Sequence, residues 1–264
     1  MAEEKYILGA ISGDIIGSPY EFANIKSTDF EMFTHGTYFT DDSVLTVATM
    51  HALLYGKDYA EVFRHFGRRY PRRGYGGRFR KWLMSENPEP YGSCGNGSAM
   101  RVSPVGWYCE SVEETLAEAK RSAEVTHDHP EGIKGAQSVA AAVFLARTGK
   151  SKGEIKAFVE GRFGYDLSRG VDEIRQTYQF DETCQGTVPQ AMCAFLQSAD
   201  FEDAIRLAVS LGGDSDTIAA ITGGIAEAFY REIPEDIADF VQVIVGPDLM
   251  EETVIPFSGK YRKF

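Results

Sequence analysis

Long apolar runs are missing from this 264-residue chain, and none approaches the roughly 20 residues needed to span a bilayer. The opening MAEEKYILGA is acidic and lacks the basic start and apolar segment of a secretion signal, so a cytoplasmic location is expected. Cysteine is sparse: Cys94, Cys109, Cys184 and Cys193 form no CxxC pair, which leaves free thiols in a reducing compartment as the expectation. Positive charge is in deficit, with 27 basic against 39 acidic residues and a net charge of -12. That balance excludes affinity for nucleic acid or anionic membrane through the whole surface, though not through a local patch. Low-complexity tracts, heptad arrays and alternating strand patterns with hairpin dipeptides are also wanting.

Helical periodicity fills the space these absences leave. SVEETLAEAKRSAEV and SKGEIKAFVEG open with capping boxes, Ser111 to Glu114 and Ser151 to Glu154. PEGIKGAQSVAAAVFLARTG starts at Pro130 and stops at Gly149. DYAEVFRHFGRRY, VPQAMCAFLQS, FEDAIRLAVSLGG and PEDIADFVQVIVG place apolar residues at three- and four-residue intervals. The reading is one all-α domain, residues 1–264, without a linker. Two helices carry stripes without bulky side chains: Gly9, Gly13 and Gly17, and Ala220, Gly224 and Ala228. Glycine inside a helix costs about 1 kcal/mol relative to alanine. A repeated stripe therefore predicts close backbone packing of these two helices at the centre of the bundle.

Acids sit where capping alone does not account for them. Thr40, Asp41, Asp42 and Ser43 precede a helix expected to begin near Val44, and Asp214, Ser215, Asp216 and Thr217 precede a long apolar helix. One Asp suffices to cap each helix. Hydroxyl and carboxylate oxygens are hard donors suited to Mg²⁺, Mn²⁺ or Ca²⁺, and four carboxylates brought together need cations or protons. Asp14, inside the glycine helix, and Glu21, beyond the break at Pro19, are further acidic candidates. Asp14 would be costly to bury unpaired.

Three more segments are unusual. GSCGNGSAMRVSPVGWY offers backbone N–H groups at Gly95, Asn96, Gly97 and Ser98, then Met100 and Arg101, as a phosphate cradle or simply a turn. VTHDHPEG places His127 and His129 before a helix start, as loop histidines or as groups bonding a ribose or phosphate. RRYPRRGYGGRFRKW, residues 68–82, interleaves seven cations with Tyr70, Tyr75, Phe79 and Trp82. That pattern suits single-stranded nucleic acid or phosphate, or a solvated loop offsetting surface acids.

In order along the chain, GAISGDIIGSPYE, TDDS, GNGSAMRVSPVG, THDHP and GGDSDTIAAITGGIAEA resemble the ADP-ribosylglycohydrolase family. That family includes the dinitrogenase reductase-activating glycohydrolases and the ADP-ribosyl-acceptor hydrolases. The resemblance implies an all-α orthogonal bundle with two divalent cations in a central cleft, Mg²⁺ expected and Mn²⁺ the alternative. It implies metal ligands at Thr40, Asp41, Asp42, Asp214, Asp216 and Thr217, with Asp216 shared between the ions. Asp41, Asp42 and Glu21 become the candidate catalytic acids. Asn96, Gly97, Ser98, Met100, Arg101, His127 and His129 match positions along the ADP-ribose. The implied reaction is hydrolysis of an N- or O-glycosidic ADP-ribosyl bond, on a protein side chain or a small conjugate, by a monomer. The other readings are a catalytically weak ADP-ribose-binding relative and a nucleic-acid-binding protein using residues 68–82.

Overall fold

The glycine stripe and the small-residue helix meet, and the rest of the bundle is arranged around them. A computed structural model describes residues 5–262; the acidic residues 1–4 lie outside the described part. The first half holds α1 (Gly9–Gly17), α2 (Asp41–Tyr55), α3 (Tyr59–Arg69), α4 (Gly77–Met84), α5 (Gly97–Met100), α6 (Ser103–Tyr108), α7 (Val112–Glu124) and α8 (Pro130–Arg147). The second holds α9 (Lys152–Phe163), α10 (Val171–Thr177), α11 (Cys184–Gln197), α12 (Phe201–Ser210), α13 (Ser215–Tyr230), α14 (Glu235–Val245), α15 (Pro247–Leu249) and α16 (Ile255–Tyr261). No strand occurs among the described residues; one isolated bridge pairs Gly95 with Thr183.

Helices α1 and α13 form the most extensive helix pair of the fold. A Cβ on Gly9, Gly13 or Gly17 would lie 2.4 Å from the Gly223 carbonyl oxygen, 2.0 Å from that of Ala219, or 2.6 Å from the Asp216 Cα. Backbone touches backbone along the whole contact. The register differs from the expected one: α13 presents Asp216, Ala219, Gly223 and Glu227 to the α1 glycines, while Gly224 lies closest to Ser103 and touches α1 only at Ala10. Every residue of α13 from Ser215 to Ala228 is buried, as befits a helix surrounded on all sides. Helix α8 repeats the device, since a Cβ on Gly135 would collide with the Cys184 side chain.

Local signals placed most helix starts. Ser151 and Glu154 form a complete capping box, whereas at Ser111 only half forms, because the Glu114 carboxylate accepts from the Glu110 N–H instead. Helix α2 begins at Asp41 rather than near Val44, with Thr40 as its cap. Helix α11 begins at Cys184, a turn before Val188, and Pro189 lies inside it. In the glycine-rich segment 92–108, residues 92–96 form a non-helical stretch and the remainder folds into two short helices, α5 and α6. The four cysteines are free thiols, and among the described residues no helix is long and apolar enough to cross a membrane.

Candidate active site

The cap of α2 explains why the acids beside it are left over. Thr40 Oγ1 accepts the Asp42 N–H at 3.2 Å and so does the capping itself. Asp14, buried in α1, accepts the Thr40 hydroxyl at 2.7 Å, the Thr40 N–H at 2.9 Å, the Ser43 N–H at 3.0 Å and the Ser43 hydroxyl. Four donors hold this carboxylate, so Asp14 fixes the start of α2 and does not line the cavity. Burial still pushes its carboxyl above the usual range, against the pull of those hydrogen bonds. At the other helix, Asp214 occupies the cap position of α13 but its side chain caps nothing. Capping therefore consumes neither Asp41, Asp42, Asp214 nor Asp216.

The α1–α13 contact delivers these acids to one place. A cavity of about 340 Å³ is lined by Glu21, Thr40, Asp41, Asp42, Asp214, Asp216 and Thr217, with Asn96, Gly97, Met100, Arg101 and His127 on its wall. The Thr217 hydroxyl donates to Asp42 Oδ2 at 3.3 Å, joining two groups 175 residues apart. Glu21, Asp214 and Asp216 each offer an oxygen within 4.8 Å of the others. Buried Asp42 Oδ1 has no hydrogen-bond partner among the described residues.

The electrostatics record the crowding. Burial, then Asp14, pushes the Asp41 and Asp42 carboxyls well above the carboxylate range. Burial, then Asp214 and Asp42, does the same to Asp216. Asp214 is also raised, chiefly by burial. Glu21 is raised to about 7 by burial and then by the charges of Asp214, Asp14 and Glu182. Such a cluster must be neutralised by protons or by cations. An all-oxygen donor set, an orphaned carboxylate oxygen and mutual repulsion fit hard divalent cations.

The lining of the cavity also carries cations. Arg101 is fully buried beneath the cavity, its Nη2 donating to the Ser122 carbonyl and the Thr126 hydroxyl at 3.0 Å each. Its guanidinium stacks 4.3 Å from the Phe63 ring centroid, and its Nε and Nη1 find no partner among the described residues. Burial lowers its pKa to about 10, which still leaves it charged. His127 is buried, with Nδ1 2.7 Å from the Thr126 hydroxyl. Burial and then Arg101 hold its pKa well below the usual range, so the ring is neutral.

Two sequence candidates fall outside the cavity. Ser98 is buried in α5, donating its hydroxyl to the Gly132 carbonyl at 2.7 Å. Exposed His129 caps α8 through Nδ1, which accepts the Glu131 N–H at 3.1 Å. Neither lines the cavity, since helix packing takes the Ser98 hydroxyl and helix capping takes Nδ1 of His129. Asn96 lines the cavity, but its Nδ2 donates to Asp214 Oδ2 at 2.6 Å and to the Thr187 hydroxyl at 3.0 Å. It orients an acid.

The basic segment 68–82 turns inward. Tyr75 and Trp82 are buried in the core, and Phe79, buried as well, lies in the lining of the cavity. Arg68 donates to the Leu83 carbonyl, Arg69 pairs with Glu252, and Arg73 lies 3.5 Å from the Phe39 ring centroid. Gly74, Gly76, Gly77 and Arg78 form one side of the cavity. The run Gly74-Tyr75-Gly76-Gly77 was the available clue to that role, since it lets backbone approach Asp41. Tyr91, Tyr38, Phe22 and Glu182, also in the lining, carried no signal in the sequence.

Comparison with known proteins gives the family and the fold. The ADP-ribosylglycohydrolase family model matches residues 4–255. ADP-ribosylhydrolase ARH3 of Homo sapiens is 28% identical over 311 aligned residues, covering 87% of this chain and 86% of that protein. The Mus musculus ARH3 is 28% identical over 313, covering 87% and 84%. ADP-ribosylarginine hydrolase Tri1 of Pseudomonas putida (strain GB-1) is 31% identical over 160 residues, covering 56% of this chain and 41% of that protein. Among solved structures, a chain of an ADP-ribosylglycohydrolase-related protein complex superposes with a TM-score of 0.74 over 95% of both chains, at 24% identity. That likeness shows a common fold.

Proposed function

Because this chain belongs to the ADP-ribosylglycohydrolase family, we propose that it hydrolyses the ADP-ribosyl bond of mono-ADP-ribosylated side chains or a related small conjugate. The expected products are free ADP-ribose and the regenerated acceptor. One observation carries the reading. Two acidic helix starts converge on a cavity whose lining also includes a buried, incompletely paired arginine.

Each wall suits one part of that substrate. Arg101, with Nε and Nη1 unmatched, and Arg78 beside it favour an anionic diphosphate, since a buried cation without a counter-charge is costly. Neutral His127 faces the Gly95–Gly97 backbone and keeps a ring nitrogen available for hydrogen bonding to ligand. Positive charge develops at the anomeric carbon as the glycosidic bond breaks, and the acidic wall favours that charge. Glu21, Asp41 and Asp42 are the carboxylates proposed to take up or deliver the proton. Thr40, Asp41 and Asp42 on one side, and Asp214, Asp216 and Thr217 on the other, would hold two divalent cations, Mg²⁺ or Mn²⁺. Bound there, the cations would neutralise the acids and supply Lewis-acid polarisation.

The deciding experiment presents mono-ADP-ribosylated arginine and serine peptides and a panel of small ADP-ribose conjugates, with Mg²⁺ and with chelator. Free ADP-ribose is quantified. Release from at least one acceptor that stops in chelator is expected; no release from any of them overturns the enzymatic reading.

A further inference from the structure

Glu21 and Asp214 reach the acidic wall from opposite ends of the chain, and neither stands on a rigid element. Glu21 follows the short turn Ser18–Tyr20, and Asp214 follows the Gly212–Gly213 turn that leads into α13. Both glycines have left-handed backbone, with φ of 66° and 73°. Ionised, the two carboxylates repel each other, so loops carrying them separate unless something ties them.

We propose that Asn24 is a positioning residue that clamps the Glu21 loop onto the Asp214 turn, so that the two carboxylates are presented as one unit. The proposal rests on the assignment of Asp214 to the cation centre, with Glu21 as the neighbouring acid whose oxygen lies within 4.8 Å of those of Asp214 and Asp216. Asn24 Oδ1 accepts the Gly213 N–H at 2.7 Å while Nδ2 donates back to the Gly213 carbonyl at 2.9 Å, pairing with that residue on both its polar groups. The same Nδ2 shares its protons with the Glu21 carbonyl and the Tyr20 carbonyl, each at 2.7 Å. One side chain thus bonds the backbone of Glu21 and the backbone of the residue before Asp214, across 189 positions of sequence. The double pairing needs a donor and an acceptor on one planar group, which a side-chain amide has and a carboxylate or hydrocarbon lacks. Glycine in this turn leaves room for the amide, since a Cβ on Gly212 would lie 3.2 Å from Asn24 Oδ1.

Asn24 is itself exposed, so shortening it removes no core. Nearby Lys26 anchors the same loop differently, donating to the Tyr178 carbonyl at 2.8 Å and the Leu211 carbonyl at 2.5 Å without touching Glu21 or Gly213. That provides an internal control.

The test measures Mn²⁺ binding by electron paramagnetic resonance, and Gly213 amide exchange, in wild type, Asn24→Ala and Lys26→Met. Wild type is expected to bind two Mn²⁺. Asn24→Ala should weaken one of the two sites by about 10- to 100-fold, as loss of a supporting hydrogen bond does, and leave the other unchanged. Its Gly213 amide should exchange faster, with the thermal midpoint of the metal-free protein near that of wild type. Lys26→Met should keep both affinities. Two unaltered sites in Asn24→Ala, or an equal loss in Lys26→Met, overturns the clamp. If wild type binds no Mn²⁺, the cation centre fails by itself, and Gly213 exchange still decides the clamp: unchanged exchange in Asn24→Ala sinks it.

Discussion

Helix α13 buries an acid at each end, and the two ends treat it differently. Near the C-terminus, Glu227 is wholly buried, accepts the Gly9 N–H at 2.7 Å and faces the Arg262 guanidinium at 3.6 Å. Near the N-terminus, Asp216 is nearly as buried but accepts only the N–H of its own neighbour, Thr217, at 3.0 Å, and its side chain otherwise shares a hydrogen bond with a second acid, Asp214. Asp14 in α1 belongs with Glu227, because the chain supplies its donors. Buried charge is tolerated when matched. Where the protein does the matching, the acid is structural. Where it does not, and a cavity opens beside the acid, the counter-charge comes from a ligand.

The largest effect expected from this contrast is at Asp216. Asp216→Asn should cut metal-supported ADP-ribose release by at least about 100-fold while far-UV circular dichroism stays that of a folded helical protein. Near-normal turnover would refute the ligand assignment.

The packing that joins the two ends is tested next. Gly13→Ala should lower stability to urea by about 1–3 kcal/mol or more, because its Cβ would lie 2.0 Å from the Ala219 carbonyl oxygen. Gly161→Ala is its opposite: in α9 nothing lies within 4 Å of the added carbon, so stability should rise by about 0.5–1 kcal/mol. If the two variants shift stability in the same direction, the close α1–α13 approach is wrong.

The smallest effect concerns the matched acid. Burial outweighs Arg262 and raises Glu227 from 4.5 to about 7. Between those values folded protein keeps a proton that the unfolded chain releases, so this group's contribution to stability is lost as pH rises through that window. Glu227→Gln should make the fall in stability over this range shallower by up to one proton. Equal slopes in variant and wild type would show that Glu227 does not titrate there.

Much of this site was legible before any packing was known. Thr40 through Ser43 and Asp214 through Thr217 exceed what helix caps use, and the glycine stripe announces a close backbone contact. Glu21 was recognisable only as an acid after a break. Ser98 and His129 lie outside the cavity: in sequence, a serine in a glycine-rich segment and a histidine before a helix look alike whether they face a cavity or a backbone group. In 68–82 the same limit applies: a ring that stacks on a base and one that packs in a core share the same spacing.

The sequence alone determined what depends on neighbours within a few residues: helix periods, the Ser151 cap, the surplus of acids at two helix starts, the small residues of α1 and α13. The tertiary structure alone decided which distant group each polar atom meets. It gave Asp14 to Thr40 and Ser43, Asn96 to Asp214, Asn24 to Glu21 and Gly213, and set the α1–α13 register one residue away from the expected stripe. Side chains are chosen locally, but their partners are set by how whole helices lie against one another, and that is where a buried acid becomes a strut or a site.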